Sequence, residues 1–242
     1  VNSGDQHTHT IGTTNRDGGV DQLLPVRLIG NEYIIGRGSS TANLADFAVV
    51  LAIENNTEIY LNGSVSPIAT INAGEYYEID ISGAAGTPYY IQTSKNAYLY
   101  HFSGQSEGEI GMAIVPPISP CIGNKKISFP KLNGNNIGYL VIPNSGLGSL
   151  RFRGQSYTNY ATATAVPGRP DYSLVYFEDN DIDAVNLNII EADEPFTFGL
   201  AVGNGNQTGA YAFLTSFSSM KVLDPNSGLA TTYYIVDTLG TN

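Results

Sequence analysis

The chain has 242 residues with no tryptophan, one cysteine and only 14% charged residues. The lone Cys121 excludes an intrachain disulfide framework and a Cys-x-x-Cys metal site. It does not place the chain inside a cell, because a large domain can be stable without such staples. Cations are scarce as well: 11 Lys and Arg face 22 Asp and Glu, for a net charge of −11. With no basic patch to release counterions, nucleic acid and anionic membrane surfaces are disfavoured as partners. No apolar run reaches the roughly 18 residues of a membrane-spanning helix. An amphipathic helix is also missing, the nearest stretch being STANLADFAV at 40–49. There is no Gly-x-Ser-x-Gly elbow and no phosphate-cradling glycine loop with Lys-Ser/Thr. No secretory leader is legible, and VNSGDQHTHT reads as a mature or engineered start.

What is present has a period of two. DFAVVLAIE (46–54) and TEIYLNG (57–63) flank the turn pair Asn55-Asn56 and read as a β-hairpin over 47–62. Further strands are EYYEIDIS (75–82), PYYIQT (88–93), AYLYHFS (97–103) and IGMAIVP (110–116), each bounded by Gly, Pro, Asn or Ser. Turn signals every 8–12 residues are the mark of a sandwich or barrel. The order then recurs. NIGYLVIP (136–143) matches DFAVVLAI, GSLRFRG (148–154) matches TEIYLNG, and ADEPFTFGLAVG (192–203) matches SKNAYLYHFSG. Gly30 to Gly123 is 93 residues, Gly63 to Gly154 is 91, and Ala97 to Pro195 and Gly111 to Gly209 are each 98. An offset this steady, kept in order, marks an internal repeat with its insertions in loops. The expected fold is all-β: two tandem antiparallel β-sandwich, jelly-roll-like modules over 1–117 and 118–242, the second ending in a strand and tail. Each copy opens on one phrase, LPVRLIGNEYI (24–34) and VPPISPCIGNKKI (115–127), in which proline and Ile-Gly-Asn precede a strand. Proline blocks ladder pairing and glycine permits a bend, so the phrase reads as a module entrance.

The ordered set LPVRLIGNEYII, ENNTEIYLNG, INAGEYYEIDI, IQTSKNAYLYHFSG and IVPPISPCIGNKKISFP resembles the IgGFc-binding protein N-terminal domain family. The resemblance is closest over 23–129 and continues more weakly over 130–217. Bacterial members of that family sit in large secreted or surface-anchored proteins linked to adhesion. The resemblance therefore implies an adhesin module of a larger multidomain chain, outside the cell, with an extracellular protein or glycan as partner. It does not carry antibody binding with it, and it transfers no site residue.

Candidate chemistry is sparse. EDNDID (178–183) sets Asp179, Asp181 and Asp183 at alternate positions, a pattern that can offer converging oxygens to calcium. The glycine and the distal glutamate of an EF-hand are missing, and a solvated acidic loop is the competing reading. Asp5, His7 and His9 share one face if extended and could hold zinc, though closed zinc sites need a fourth ligand. His101, between Tyr100 and Phe102, reads as a structural or surface histidine, and Cys121, at an apolar position, as a buried inert thiol. Glu54, Glu58, Glu75, Glu78 and Asp80 read as solvent-facing strand residues. Sixteen tyrosines include the pairs Tyr76-Tyr77, Tyr89-Tyr90 and Tyr233-Tyr234, of which one member each should face outward. Asn55 and Asn62 begin glycosylation-type triplets. The sequence thus points to a non-catalytic extracellular adhesion or binding module. A carbohydrate-binding accessory domain and a structural spacer are the alternatives, and calcium is the one candidate cofactor.

Overall fold

The computed structural model describes residues 2–7, 17–22, 24–38, 46–103, 111–119, 122–203, 209–215, 220–223 and 230–233. A hairpin of β1 (Asn2–His7) and β2 (Asp17–Gln22) comes first. Then follow β3 (Gly30–Gly36), β4 (Asp46–Ala52), β5 (Thr57–Leu61), β6 (Ala69–Ile71), β7 (Tyr76–Ile81), β8 (Pro88–Ser103) and β9 (Gly111–Ile114). The second set is β10 (Asn124–Phe129), β11 (Asn135–Pro143), β12 (Arg151–Phe152), β13 (Gln155–Ser156), β14 (Ala163–Val166), β15 (Arg169–Phe177), β16 (Asn188–Gly203) and β17 (Gly209–Phe213). A last hairpin joins β18 (Met220–Leu223) to β19 (Ala230–Tyr233).

The repeat read from the sequence is a repeat of topology. In the first module β8 pairs with β3 and β5 through its first half, and with β4 and β9 through its second. In the second module β16 does the same with β10 and β12, then with β11 and β17. Each long strand therefore belongs to both layers of its sandwich. The sequence suggests two strands parted at Ser94–Asn96, but one strand, Pro88–Ser103, runs through that polar stretch, where the register on β3 shifts. The expected hairpin over 47–62 is not formed, because β4 pairs with β7 and β8 while β5 pairs with β6 and β8. The turn at Asn56, which takes φ 56°, carries the chain from one layer to the other. The entrance phrases also match in detail. The register of β3 on β8 shifts between Gly30 and Glu32, and that of β10 on β16 between Asn124 and Lys126.

Alternation fills each sandwich. Ala48, Val50 and Ala52 of β4 meet Ile35, Ile59, Ile91 and Leu99 in the first core. Leu140 and Ile142 of β11 meet Phe152, Phe177, Phe198 and Leu200 in the second. Each such fully buried side chain is worth about 1.5–3 kcal/mol over an exposed one.

A third cluster joins the modules. The outer face of the second module, including Tyr139, Val141, Leu174, Ala201 and Tyr211, packs on Ile34, Tyr90 and Ala113 of the first. Glycines permit the close approach. A Cβ on Gly36 would stand 2.6 Å from Leu174 Cδ1. The turns at Gly63 (φ +76°) and Gly168 (φ +79°) meet backbone to backbone, where a Cβ on Gly168 would lie 2.5 Å from the Gly63 nitrogen. The junction also explains a departure from the tyrosine rule. Tyr89 fills the first core and Tyr90 the junction, so both members of that pair are buried.

Candidate functional site

Polar residues gather where the second module closes one end of the first. Asp46 opens β4 and shares the inward face of Ala48 and Val50; His101 and Ser103 share the inward face of Leu99 on β8. Asp46 Oδ2 accepts hydrogen bonds from Gly38 N at 2.8 Å and Ser103 Oγ at 2.9 Å. Asp46 Oδ1 pairs with His101 Nε2. The other ring nitrogen, Nδ1, lies 3.0 Å from the Tyr211 hydroxyl and 3.3 Å from that of Tyr139, and the two hydroxyls bond each other. His101 is 0% exposed, Asp46 2%, Tyr139 0% and Tyr211 7%.

Carboxylate, imidazole and hydroxyl in series is the order that activates a nucleophile in hydrolases. Here the hydroxyls are phenolic, and burial drives both well above the ordinary tyrosine range, so they stay protonated. What the arrangement does is specify docking. Buried polar groups are tolerated only when their remaining lone pairs and protons are matched. The first module leaves His101 Nδ1 unmatched, and the second supplies the two hydroxyls that complete it.

A second polar set lies at the rim of the junction. Glu32 pairs with Arg169 across the modules and accepts from the Tyr90 hydroxyl at 2.6 Å. Arg169 is also held by Asp171 at 3.0 and 3.1 Å, and its guanidinium stacks 5.0 Å above the Tyr172 ring. The Asp171 contact raises the arginine further above its usual range and lowers the carboxyl. Burial, with Glu32 beside it, pushes Tyr90 up to about 12. Beyond Tyr172 a small, open cleft lies between Ile34, Val141, Pro195 and the linker residues Pro116–Ser119. Among the described residues that line it, Tyr172 is the one titratable group.

A family model described as IgGFc binding protein matches residues 1–202. The chain belongs to the IgGFc-binding protein family. No curated protein and no solved structure matches it. The family match runs across both modules and takes in Asp46, His101 and Tyr139; Tyr211 lies beyond its end. Membership points to an extracellular binding module with a protein partner rather than to an enzyme. No helix among the described residues is long and apolar enough to cross a membrane.

The residues singled out in this family member from its sequence are dispersed. Asp179 accepts from Lys131 Nζ at 2.8 Å and Asn136 N at 2.7 Å. Asp181 accepts from Glu178 N at 3.0 Å. Asp183 accepts from Arg153 at 2.8 Å and from Val185 N and Asn186 N at 2.8 and 3.1 Å. Each carboxylate thus holds its own part of the loop, and among the described residues no group of three His, Cys, Asp or Glu stands ready for a metal. Calcium at this loop would have to displace Lys131 and Arg153. Thermal melts in millimolar calcium and in chelator are expected to superimpose; a higher Tm with calcium would show that the cation wins that competition.

The same loop sets an acid response. Hydrogen bonds from Val185 and Asn186 hold the Asp183 carboxyl down at about 2, and Lys131 and Asn136 hold Asp179 below its usual value against the opposing effect of burial. A depressed carboxylate contributes stability above its unfolded pKa of about 3.9, and that contribution is lost as pH falls through the folded value. Amide exchange at Val185 and Asn186, referenced to strands in the core, is expected to rise from pH about 4 down to about 2. Protection that stays flat over that window would show that the loop is held otherwise.

Cys121 and His9 lie outside the described residues, as do the side chains of Asp5 and His7. Asn55 and Asn62 are exposed on turns. Of the strand carboxylates, Glu54, Glu75 and Asp80 are exposed while Glu58 and Glu78 are half-buried. Tyr76, at 68% exposure, faces outward as expected. Asp46 and Tyr211 were not singled out. Their signal was parity, since each is a polar group on a strand position whose neighbours two residues away are apolar.

Proposed function

We propose that this chain is a non-catalytic adhesion module of a larger secreted or cell-surface protein. Its two sandwiches, 1–117 and 118–242, would act as one rigid body that presents loops to an extracellular protein or glycan ligand. Family membership over residues 1–202 is the observation that carries this reading. The junction supports it, because apolar packing, glycine contacts and the Asp46–His101–Tyr139–Tyr211 network together fix one relative placement of the modules. A fixed placement lets loops from both modules bind without an ordering cost at the moment of contact. Saturable binding to one member of a panel of matrix proteins, mucins, immunoglobulin fragments and glycans is the expected result. A flat response across the panel would leave a spacer as the better account.

A carbohydrate-binding role is the second reading, and Tyr76 favours it. An exposed tyrosine offers a flat apolar face at little entropic cost. On that reading Tyr76→Ala abolishes glycan binding and leaves Tm unchanged; retained glycan affinity would remove Tyr76 from the site.

A further inference from the structure

The repeat allows the two modules to be compared face by face. Val49 pairs with Tyr100 as Tyr139 pairs with Gly199, and Met112 with Phe102 as Tyr211 with Ala201. Val49 therefore stands where Tyr139 stands, and Met112 where Tyr211 stands. In the second module this outer face is the one that docks on the first. In the first module the same face is also apolar, and Tyr98, Phe102, Met112 and Ile114 on it are 8%, 5%, 7% and 6% exposed. Part of what covers them is identifiable. β2 runs alongside β9, and Asp21 Oδ2 accepts from Ile114 N at 2.7 Å. The Tyr98 hydroxyl donates to Leu24 O, and Leu24 and Ile29 pack on the cluster of Tyr98 and Ile114.

We propose that the outer face of β4, β8 and β9 is the counterpart of that docking face, kept closed to other proteins by a resident cap of β2, Leu24 and Ile29. The chemistry of the face selects such an occupant. At the two positions where the second module offers hydroxyls, the first has Val49 and Met112, which can satisfy no buried polar group. Another copy of the Asp46–His101 end would be left with an unmatched imidazole against them. Leu24 and Ile29, held by the Tyr98 hydroxyl bond to Leu24 O and by the Asp21 bond to Ile114 N, meet no such penalty.

The test uses the full chain. Leu24→Asp removes the apolar anchor of the cap. The wild-type chain is expected to sediment as a monomer and to bind little hydrophobic dye. The variant, with its far-UV dichroism retained, is expected to bind dye strongly and to self-associate with rising concentration. A folded variant that stays monomeric and dye-free overturns the proposal. Should Leu24→Asp not fold, Tyr98→Phe decides, because it keeps the ring and removes only the bond to Leu24 O. Amide exchange at Ile114 is then expected to rise about fivefold, the equivalent of one hydrogen bond, with the second module unchanged. Unchanged exchange at Ile114 would show that the segment does not cap the face.

Discussion

Asp46→Ala is expected to lower folding stability by about 3–5 kcal/mol, because several buried donors lose one carboxylate acceptor together. The change strips His101 Nε2, Gly38 N and Ser103 Oγ of their acceptor at once. It does so where water has no access, since His101 and Ser103 are both fully buried. The cost should fall on the junction as well as on the first module, because the imidazole that reaches Tyr139 and Tyr211 is no longer oriented. Urea denaturation measures the loss. A loss below about 1 kcal/mol would mean that water or a rearranged side chain replaces the carboxylate. A companion variant separates specificity from stability. Replacing Asp46, His101, Tyr139 and Tyr211 together by apolar residues of similar shape is expected to recover only part of the loss, since the imidazole is removed but Gly38 N and Ser103 Oγ still lose the Asp46 acceptor.

Gly168→Val is expected to be comparably severe. The residue sits at φ +79°, where an L side chain costs about 1–2 kcal/mol before any contact is considered. Its Cβ would then stand 2.5 Å from the Gly63 nitrogen and 2.7 Å from Asn62 C, both backbone atoms that cannot swing aside. Separation of the turns would also strain the Glu32–Arg169 bridge beside them. The expected readout is a drop of roughly 6–12 °C in Tm, from about 3 kcal/mol at about 2–4 °C per kcal/mol in a chain this long. Gly154→Val is the control: it has a similar φ of +76° and nothing within 4 Å, so it bears the backbone term alone. Equal losses for the two would mean that the backbone contact between modules contributes nothing.

Alkaline pH adds a test of burial. Tyr33, Tyr139, Tyr176 and Tyr211 are raised above the ordinary tyrosine range by burial, and Tyr90 to about 12. Raised folded values contribute stability in full below the unfolded pKa of about 10, and the contribution is lost as pH rises through the folded value. Tyrosinate absorbance should therefore show a slow fraction that appears only as the chain unfolds. A single smooth titration of all the tyrosines in folded protein would contradict the burial described.

The sandwich modules were legible because alternation and spaced turn residues survive at the level of single strands. Their repetition was legible because offsets between glycines stay nearly constant. The junction was not. Ile34, Tyr90, Val141 and Leu174 lie on faces that alternation assigns to solvent, and only the partner module makes them core. Tyr89-Tyr90 shows the ambiguity at its sharpest, since a strand buried on both sides loses the polar half of the pattern. The Asp46–His101 pair was hidden for a different reason. Its members are 55 residues apart, and its completing hydroxyls belong to the other copy of the repeat. The aspartates of 178–183 drew attention by spacing alone, and spacing does not report that Lys131 and Arg153 stand opposite them.

The long strand shared by both layers has a consequence for synthesis. β3 finds its partner only when β8 arrives, more than 50 residues later, so the first sandwich cannot close around its early strands alone. Such distant pairings are slow to form and leave apolar edges open meanwhile. Even then Asp46 and His101 remain wet until Tyr139 and Tyr211 are made, and Tyr211 sits on the last strand of the second sandwich. The nascent chain therefore carries an unfinished polar pocket through most of its emergence, and its dehydration marks the moment at which the two halves become one body.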